Sequence, residues 1–167
     1  MMEKLVNELN ETLSKMNILL RSLDEEKINE VPFLGSWTAG QLAEHIVLSN
    51  GGFDEMINGP IDETNRPADK DVAEIKNIFL NFNTKMSAPE SICPPFRPYI
   101  KDDLLHQLDG IKANMVCSVK ELDLTKTCTS FELPYFGFLT RLEAVYFVMY
   151  HTQRHNHQLE NMLKFLN

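Results

Sequence analysis

Amphipathic helical periodicity constrains the fold of this chain more than any other feature. Five segments repeat apolar residues every three or four positions, which places these residues on one face of an α-helix. The segments run over residues 3–23, 39–57, 71–86, 103–122 and 140–166. No stretch shows the strict alternation of apolar and polar residues that is typical of a strand. The pattern therefore predicts an all-α protein.

Two of the predicted helices carry clear start signals. Thr38 precedes Gln41 by three positions, and Thr140 precedes Glu143 by the same spacing. Each pair has the form of a capping box, in which the two side chains satisfy free backbone N–H groups at the helix start. The second and the last helix should therefore begin at fixed points.

Three of the connections are too long to be simple turns. Residues 58–68, 87–101 and 123–139 contain prolines and glycines that prevent the helices from continuing. Long segments of this kind in compact domains often cover a functional site. Because two of them are rich in aromatic residues, we expect them to be packed covers over a single domain that spans residues 1–167.

Composition excludes several classes of partner and location. The formal net charge of −8 opposes binding to the phosphate backbone of nucleic acids. No segment approaches the roughly 20 apolar residues of a membrane span, and the start lacks the apolar core of a signal peptide. Cys93, Cys117 and Cys128 are widely spaced and odd in number, which is a poor basis for a disulfide framework. We expect a cytoplasmic protein with reduced thiols.

Two histidines interrupt the apolar face of the last helix. His151 and His155 are four residues apart, so both side chains lie on one face, one turn from each other. The rest of this face is apolar, comprising Ala144, Val148, Leu159, Met162 and Leu166. The pair is equally compatible with hydrogen-bonded core histidines and with half of a metal site, because imidazole is a common ligand of borderline metals.

A metal site on this pair needs a third protein ligand, and His45 is the best candidate. It follows Leu42 by three residues and so borders the apolar face of the second helix. His106 lies on the opposite face from its apolar neighbours, which predicts solvent exposure. His157 is about 200° around the helix from His155 and cannot share a metal with the pair.

Helix lengths support the same choice. At about 1.5 Å per residue, His45 lies about 10 Å from the start of its helix, and the midpoint of His151 and His155 lies about 20 Å into theirs. If two helices of about 30 Å pack antiparallel, His45 and the midpoint of His151 and His155 lie at the same height along the pair. We therefore predict that the second and last helices are antiparallel.

Three stretches of this sequence resemble the DinB-like superfamily, which includes the bacillithiol transferases. They are Trp37-Thr38-Ala39-Gly40-Gln41-Leu42-Ala43-Glu44-His45, then Leu133-Pro134-Tyr135-Phe136-Gly137-Phe138-Leu139-Thr140, and His151-x-x-x-His155-x-x-Gln158. The resemblance implies a four-helix bundle with down-up-up-down topology, here with an additional helix and long covering loops. It also implies frequent homodimers and a divalent metal held by His45, His151 and His155. Zinc or nickel fits such a site first, with iron or manganese as alternatives.

The expected chemistry follows from three neutral ligands, which leave the charge of the metal uncompensated. Such a metal acidifies a bound thiol or water. The resemblance favours a small-molecule substrate and a low-molecular-weight thiol, and therefore a thiol transferase. Gln158 follows His155 by three residues and is expected either to lie near the metal or to orient a ligand. Arg154 is expected to lie on a solvated helix face rather than to attract an anionic substrate.

Three alternatives remain from the sequence. A metal-dependent hydrolase is the first, although the pair lacks the glutamate of H-E-x-x-H, and Glu44 points about 100° away from His45. A metal-binding or small-ligand-binding bundle without catalysis is the second. A plain helical scaffold with buried histidines is the third.

Overall fold

The computed structural model describes residues 2–167, and more than half of them lie in five α-helices. In chain order the helices are α1 (Met2–Arg21), α2 (Ala39–Asn58), α3 (Val72–Phe79), α4 (Lys101–Glu121) and α5 (Arg141–Leu166). The four long helices form a bundle, and α3 packs against α5 on its outside. The predicted all-α class and the additional helix are confirmed. None of the described helices is both long enough and apolar enough to cross a bilayer.

Helices α2 and α5 are antiparallel, as the levels of the histidines predict. Near the start of α2, His45 Nε2 lies 3.2 Å from His151 Nε2 in the middle of α5. At the other end of α2, the carbonyl of Ile57 accepts a hydrogen bond of 2.8 Å from Nε of Arg141, the first residue of α5. The two helices therefore run in opposite directions along their contact.

Helix α1 is antiparallel to α4. Asn17 donates to Asp109 at 2.6 Å, and the carbonyl of Leu23, just beyond α1, accepts from the amino group of Lys101 at 2.8 Å. The end of α1 therefore meets the start of α4.

Helix α2 is parallel to α4, because residues of both helices pair in the same order. Asn114 donates to Asp54 at 3.0 Å, and Asn58 donates to Ser118 at 3.0 Å. Together with the two antiparallel pairs, this contact orders α1, α2, α4 and α5 as down, up, up and down. The four-helix bundle topology that the family resemblance implies is confirmed.

Helix α3 is shorter than predicted. It ends at Phe79 rather than near Met86, and Phe82 and Met86, expected on its apolar face, are 47% and 48% exposed. Instead of continuing the helical ladder, the backbone N–H of Asn83 donates to the side-chain oxygen of Asn81 at 3.3 Å. Asparagine side chains compete with helical hydrogen bonds in this way. The spacing of apolar residues contains no information about this competition, so it predicted a helix that is too long.

A two-stranded sheet, which the sequence did not predict, joins two of the connections. Strand β1 (Ile61–Asp62) pairs antiparallel with β2 (Thr127–Cys128), with Ile61 opposite Cys128. Two residues are too few to show an alternating pattern. The sheet fixes the segment after α2 to the segment before α5.

The aromatic residues of the long connections pack less completely than expected. Tyr99 is 5% exposed, but Phe96, Phe131 and Tyr135 are 77%, 57% and 79% exposed. Segment 87–101 still covers the bundle, because the carbonyl of Ile92 contacts His45 on α2. The expected cover is therefore made by backbone and polar contacts more than by aromatic packing.

The core consists of two apolar clusters with a polar layer between them. One cluster includes Leu9 and Met149, and the other includes Leu20 and Leu159. The buried polar residues between them come from α1, α2 and α5 and are Thr12, His45, Ser49, Asn50, His151, Thr152, His155 and Asn156. The three candidate ligands therefore lie at the middle of the bundle.

A buried ion pair fixes the start of α5. Thr140 and Glu143 form the predicted capping box, and the Glu143 carboxylate also accepts two bonds from Arg66, at 2.6 and 2.7 Å, and one from the N–H of Asp71 at 3.0 Å. Burial raises the pKa of Glu143, but these bonds outweigh it and hold the pKa below its ordinary value. The charged carboxylate is therefore the native form.

Candidate metal centre

Helix α2 begins at a fixed point and thereby places His45. The side chain of Thr38 accepts from the N–H of Gln41 at 3.0 Å, and the side chain of Gln41 accepts from the N–H of Thr38 at 3.0 Å. This confirms the predicted capping box. A Cβ at Gly40 would lie 3.0 Å from the side chain of Tyr99, so a larger residue there would require this connection to shift away from α2. His45 follows in the second turn and is 2% exposed.

Helix α5 supplies the other two imidazoles. His151 and His155 are 6% and 9% exposed, and they face α2 from adjacent turns. The other histidines lie elsewhere, as predicted. His106 is exposed on α4, and the ring of His157 stacks on Phe82 at 4.2 Å.

The three buried histidines converge through their Nε2 atoms. His151 Nε2 lies 3.2 Å from His45 Nε2 and 3.1 Å from His155 Nε2. One nitrogen from each residue lies within 4.8 Å of the other two. Nitrogens bound to one tetrahedral zinc at about 2.0–2.1 Å are about 3.3–3.4 Å apart. The spacing therefore fits a single metal ion.

Each imidazole also has a neighbour at Nδ1, the ring nitrogen that points away from the converging Nε2 atoms. A hydrogen bond donated by Nδ1 leaves the lone pair on Nε2. The Nδ1–H of His45 donates to the carbonyl of Ile92 at 2.8 Å, and His155 Nδ1 lies 2.9 Å from Oε1 of Gln158. His151 Nδ1 lies 3.4 Å from the hydroxyl of Ser49. A carbonyl oxygen only accepts, so a neutral His45 directs the Nε2 lone pair inward. Partners of this kind commonly orient histidines that bind metals.

Burial keeps the three imidazoles neutral. It lowers the pKa of His45 below the ordinary value, lowers that of His151 far below it and lowers that of His155 to about 3. Neutral imidazole is the form that binds a metal. If all three Nε2 atoms are unprotonated, their lone pairs repel one another, and a cation between them removes this repulsion. The residues therefore fit a divalent metal that accepts nitrogen ligands.

The surroundings of the histidines are aromatic and lack carboxylates. The Phe79 ring centroid is 5.2 Å from that of His151, and the Trp37 ring is 5.3 Å from that of His45. Glu44, adjacent to His45 in sequence, pairs with Arg97 at 3.7 Å. Among residues 2–167, one cluster contains three or more side chains that could bind a metal together. It consists of these three histidines and contains no acidic residue or cysteine.

Arg154 is half-buried and hydrogen-bonded rather than free on a solvated face, which differs from the expectation. Its guanidinium donates to the carbonyls of Phe79 at 3.2 Å and Asn81 at 2.9 Å, and also to that of Thr84. Burial lowers the pKa of this residue from its ordinary value. Arg154 thus attaches the segment after α3 to α5 beside the histidines.

The partners of the histidines were only partly accessible to sequence reasoning. The spacing of Gln158 to His155 indicates a place beside the site, and the structure shows that the two side chains are in contact. Ser49, one turn after His45, has a comparable spacing that could have identified it. Ile92 contributes a backbone carbonyl from a distant connection, and no side-chain pattern encodes that role.

The fold and these positions agree with a known family. The DinB superfamily model matches residues 8–159, a range that includes all three histidines. This chain belongs to the DinB superfamily. It also resembles the crystal structure of TT2238, a four-helix bundle protein, with a TM-score of 0.60 and 18% identity over 96% of this chain and 99% of the other. This likeness shows the fold alone. The chain matches no curated protein.

Replacing Gln158 with leucine should raise the dissociation constant for zinc about 10- to 100-fold, because loss of an orienting partner commonly weakens a metal site by this amount. Isothermal titration calorimetry measures the change. Gln153 is a matched control, because it donates to Thr12 at 3.2 Å rather than to a histidine. Equal affinities for the Gln158→Leu and Gln153→Leu proteins would show that Gln158 does not orient His155.

Metal should stabilise a bundle that folds without it, because the two apolar clusters form an extensive core. At free zinc about 100-fold above the dissociation constant, the gain is about 2.7 kcal/mol, or roughly 5–11 °C in melting temperature. Circular dichroism with zinc or with a chelator measures it. An unfolded metal-free protein, or an unchanged melting temperature, would contradict this expectation.

The metal-free protein should lose stability as the pH falls below about 6.5. The unfolded chain takes up protons near the ordinary histidine pKa of 6.5, whereas native His155 does so only near 3. Stability therefore rises with pH across this window, by up to about 1.4 kcal/mol per pH unit for this residue. Urea unfolding at pH 7.5, 6.5 and 5.5 tests the slope. A His155→Leu protein should have a smaller slope, and a flat profile for the unmodified protein would refute the account.

Proposed function

We propose that this DinB-superfamily protein is a metal-dependent thiol transferase, with His45, His151 and His155 as the metal ligands. The observation that carries the proposal is the composition of the site. It offers three neutral nitrogen ligands, while the described chain places no cysteine nucleophile and no carboxylate base in the same group. A nucleophile other than metal-bound water must then come with the substrates.

His45, His151 and His155 would hold the metal, which would supply a Lewis acid that favours the thiolate form of a bound thiol. Zinc and nickel suit three imidazoles best, with iron and manganese as further candidates. A low-molecular-weight thiol is the proposed co-substrate and a small electrophile is its partner. In the reaction the thiol loses its proton to solvent, and its sulfur bonds to the electrophilic carbon. A halide departs from an alkyl halide, or an epoxide C–O bond opens and the oxygen takes up a proton.

The residues of this chain hold and shield the reacting groups. Ile92 and Gln158 orient His45 and His155 through their Nδ1 atoms. The rings of Phe79 and Trp37 pack beside the site and give it a partly apolar lining, which strengthens electrostatic interactions there. Glu44 is engaged with Arg97, so it is poorly placed to act as the base of a hydrolase.

Burial of the ligands favours one competing function, a metal-binding bundle without catalysis. The three histidines are between 2% and 9% exposed, which limits access to the site. A sealed site of this kind suits a structural role better than turnover. The two functions differ in a measurable way, because only the transferase consumes thiol.

Turnover by zinc- or nickel-loaded protein decides between them. A panel of low-molecular-weight thiols is tested with a model epoxide and an alkyl halide, and product formation is followed by mass spectrometry. We expect product that requires both added thiol and metal, and that is lost in the His151→Ala protein but retained in His106→Ala. Hydrolysis of an ester or amide without thiol would favour the hydrolase, and tight metal binding without turnover would favour the non-catalytic bundle.

A further inference from the structure

The connection between α3 and α4 contacts His45 and also binds Arg154, the neighbour of His155. We call residues 81–98 of this connection the strap. Its Ile92 carbonyl accepts a hydrogen bond from His45, and its first residues are attached to Arg154, next to His155. Because the histidines are at most 9% exposed, a ligand reaches them only when a covering segment moves.

The strap has almost no core of its own. Pro94 is the one buried residue in 81–98, all of which the structure describes. The large apolar side chains Phe82, Met86 and Phe96 are 47%, 48% and 77% exposed. Segments with few buried apolar contacts open at a lower free energy than the core. The strap is therefore the part of the cover that opens most easily.

Polar contacts from the bundle hold the strap in place. Arg154 donates to the carbonyls of Asn81 and Thr84 in the strap and to that of Phe79 just before it. At the other end, Gln41 donates to the carbonyl of Pro94 at 3.4 Å. The described ion pairs give Arg154 no carboxylate partner, so its charge is used on backbone carbonyls.

We propose that the strap is a gate to the metal site and that Arg154 is its latch. Release of the carbonyls by Arg154 loosens residues 81–86, while Ile92 and Pro94 keep the second half attached to α2. One planar guanidinium bonds several carbonyls at once, so the loss of this single side chain removes the polar attachment of the first half and leaves the stacking of Phe82 on His157. This inference rests on the proposed metal site.

Zinc exchange tests the gate without any substrate. Stopped-flow mixing of metal-free protein with zinc gives the rate of capture, and mixing of loaded protein with a chromogenic chelator gives the rate of release. We expect Arg154→Met to raise both rates about tenfold and to change the dissociation constant by less than about threefold. Arg154→Lys should give intermediate rates, because an ammonium group lacks the planar fork. Lys85→Met, which removes an exposed cation from the same strap, should leave both rates unchanged.

Urea adds a second measurement that does not depend on the variants. Zinc release through the gate should respond weakly to urea, because opening the strap exposes little surface compared with global unfolding. Unchanged exchange rates in Arg154→Met, or release that follows the urea dependence of global unfolding, would overturn the gate. If Arg154→Met does not fold, the zinc exchange rates of Arg154→Lys decide instead: faster exchange than in the unmodified protein supports the gate, and unchanged exchange overturns it. If Arg154→Met speeds zinc exchange but the protein transfers no thiol, the proposed function alone is refuted. If the protein transfers thiol but Arg154→Met leaves zinc exchange unchanged, the gate alone is refuted.

Discussion

Alanine in place of His151 should raise the dissociation constant for zinc by roughly 150-fold, which corresponds to about 3 kcal/mol. Structural zinc sites with four ligands bind with about 10–16 kcal/mol, so one ligand contributes about a quarter of that free energy. His151 lies between the other two imidazoles, with Nε2 atoms 3.2 and 3.1 Å away. Competition titration with a chelator of known affinity measures the loss.

Matched replacements separate ligation from general effects of removing a histidine. His45→Ala and His155→Ala should weaken binding to a similar degree as His151→Ala. His106→Ala, on the exposed face of α4, should bind zinc as tightly as the unmodified protein. If His151→Ala and His106→Ala bound zinc equally well, His151 would not be a ligand.

Methionine in place of Arg66 should lower the free energy of unfolding by about 3–5 kcal/mol at pH 7. The change leaves the Glu143 carboxylate, which is fully buried, without its ion-pair partner, and an unpaired buried charge is destabilising by this amount. Urea unfolding followed by circular dichroism measures the loss. In Arg66→Lys the charge remains, but the bidentate contact is lost, so a smaller loss is expected.

Proton binding distinguishes this mechanism from a loss of packing. In Arg66→Met the pKa of Glu143 should rise, because burial then acts with less compensation. The variant should therefore lose less stability, relative to the unmodified protein, near pH 4 than at pH 7. The double replacement Arg66→Met with Glu143→Gln should recover part of the stability at pH 7. Equal losses at both pH values and no recovery would assign the effect to packing.

Much of the bundle could be predicted from local sequence patterns. Capping boxes at Thr38 and Thr140 mark the starts of α2 and α5, and the apolar faces give the lengths of the four long helices. The spacing of His151 and His155, with the level of His45, also predicted both the antiparallel pair and the convergence of the three side chains. These features depend on regular helical geometry, so the sequence carries them directly.

The features that escaped prediction depend on contacts between distant or irregular segments. Arg66 reaches Glu143 across 77 residues, and Ile92 reaches His45 across 47. The early end of α3 follows from the side chain of Asn81, which competes with the helical ladder. Arg154 bonds carbonyls that are free only because α3 ends there. Each of these contacts exists only once the fold has formed.

We propose that the three buried imidazoles of the bundle hold one metal ion. Elemental analysis of untagged protein after metal loading and gel filtration measures the metal content of each chain. We expect one divalent metal per chain for the unmodified protein and for His106→Ala, and none for a protein in which His45, His151 and His155 are all alanine. Stoichiometric metal in the triple variant, or no retained metal in the unmodified protein, would contradict it.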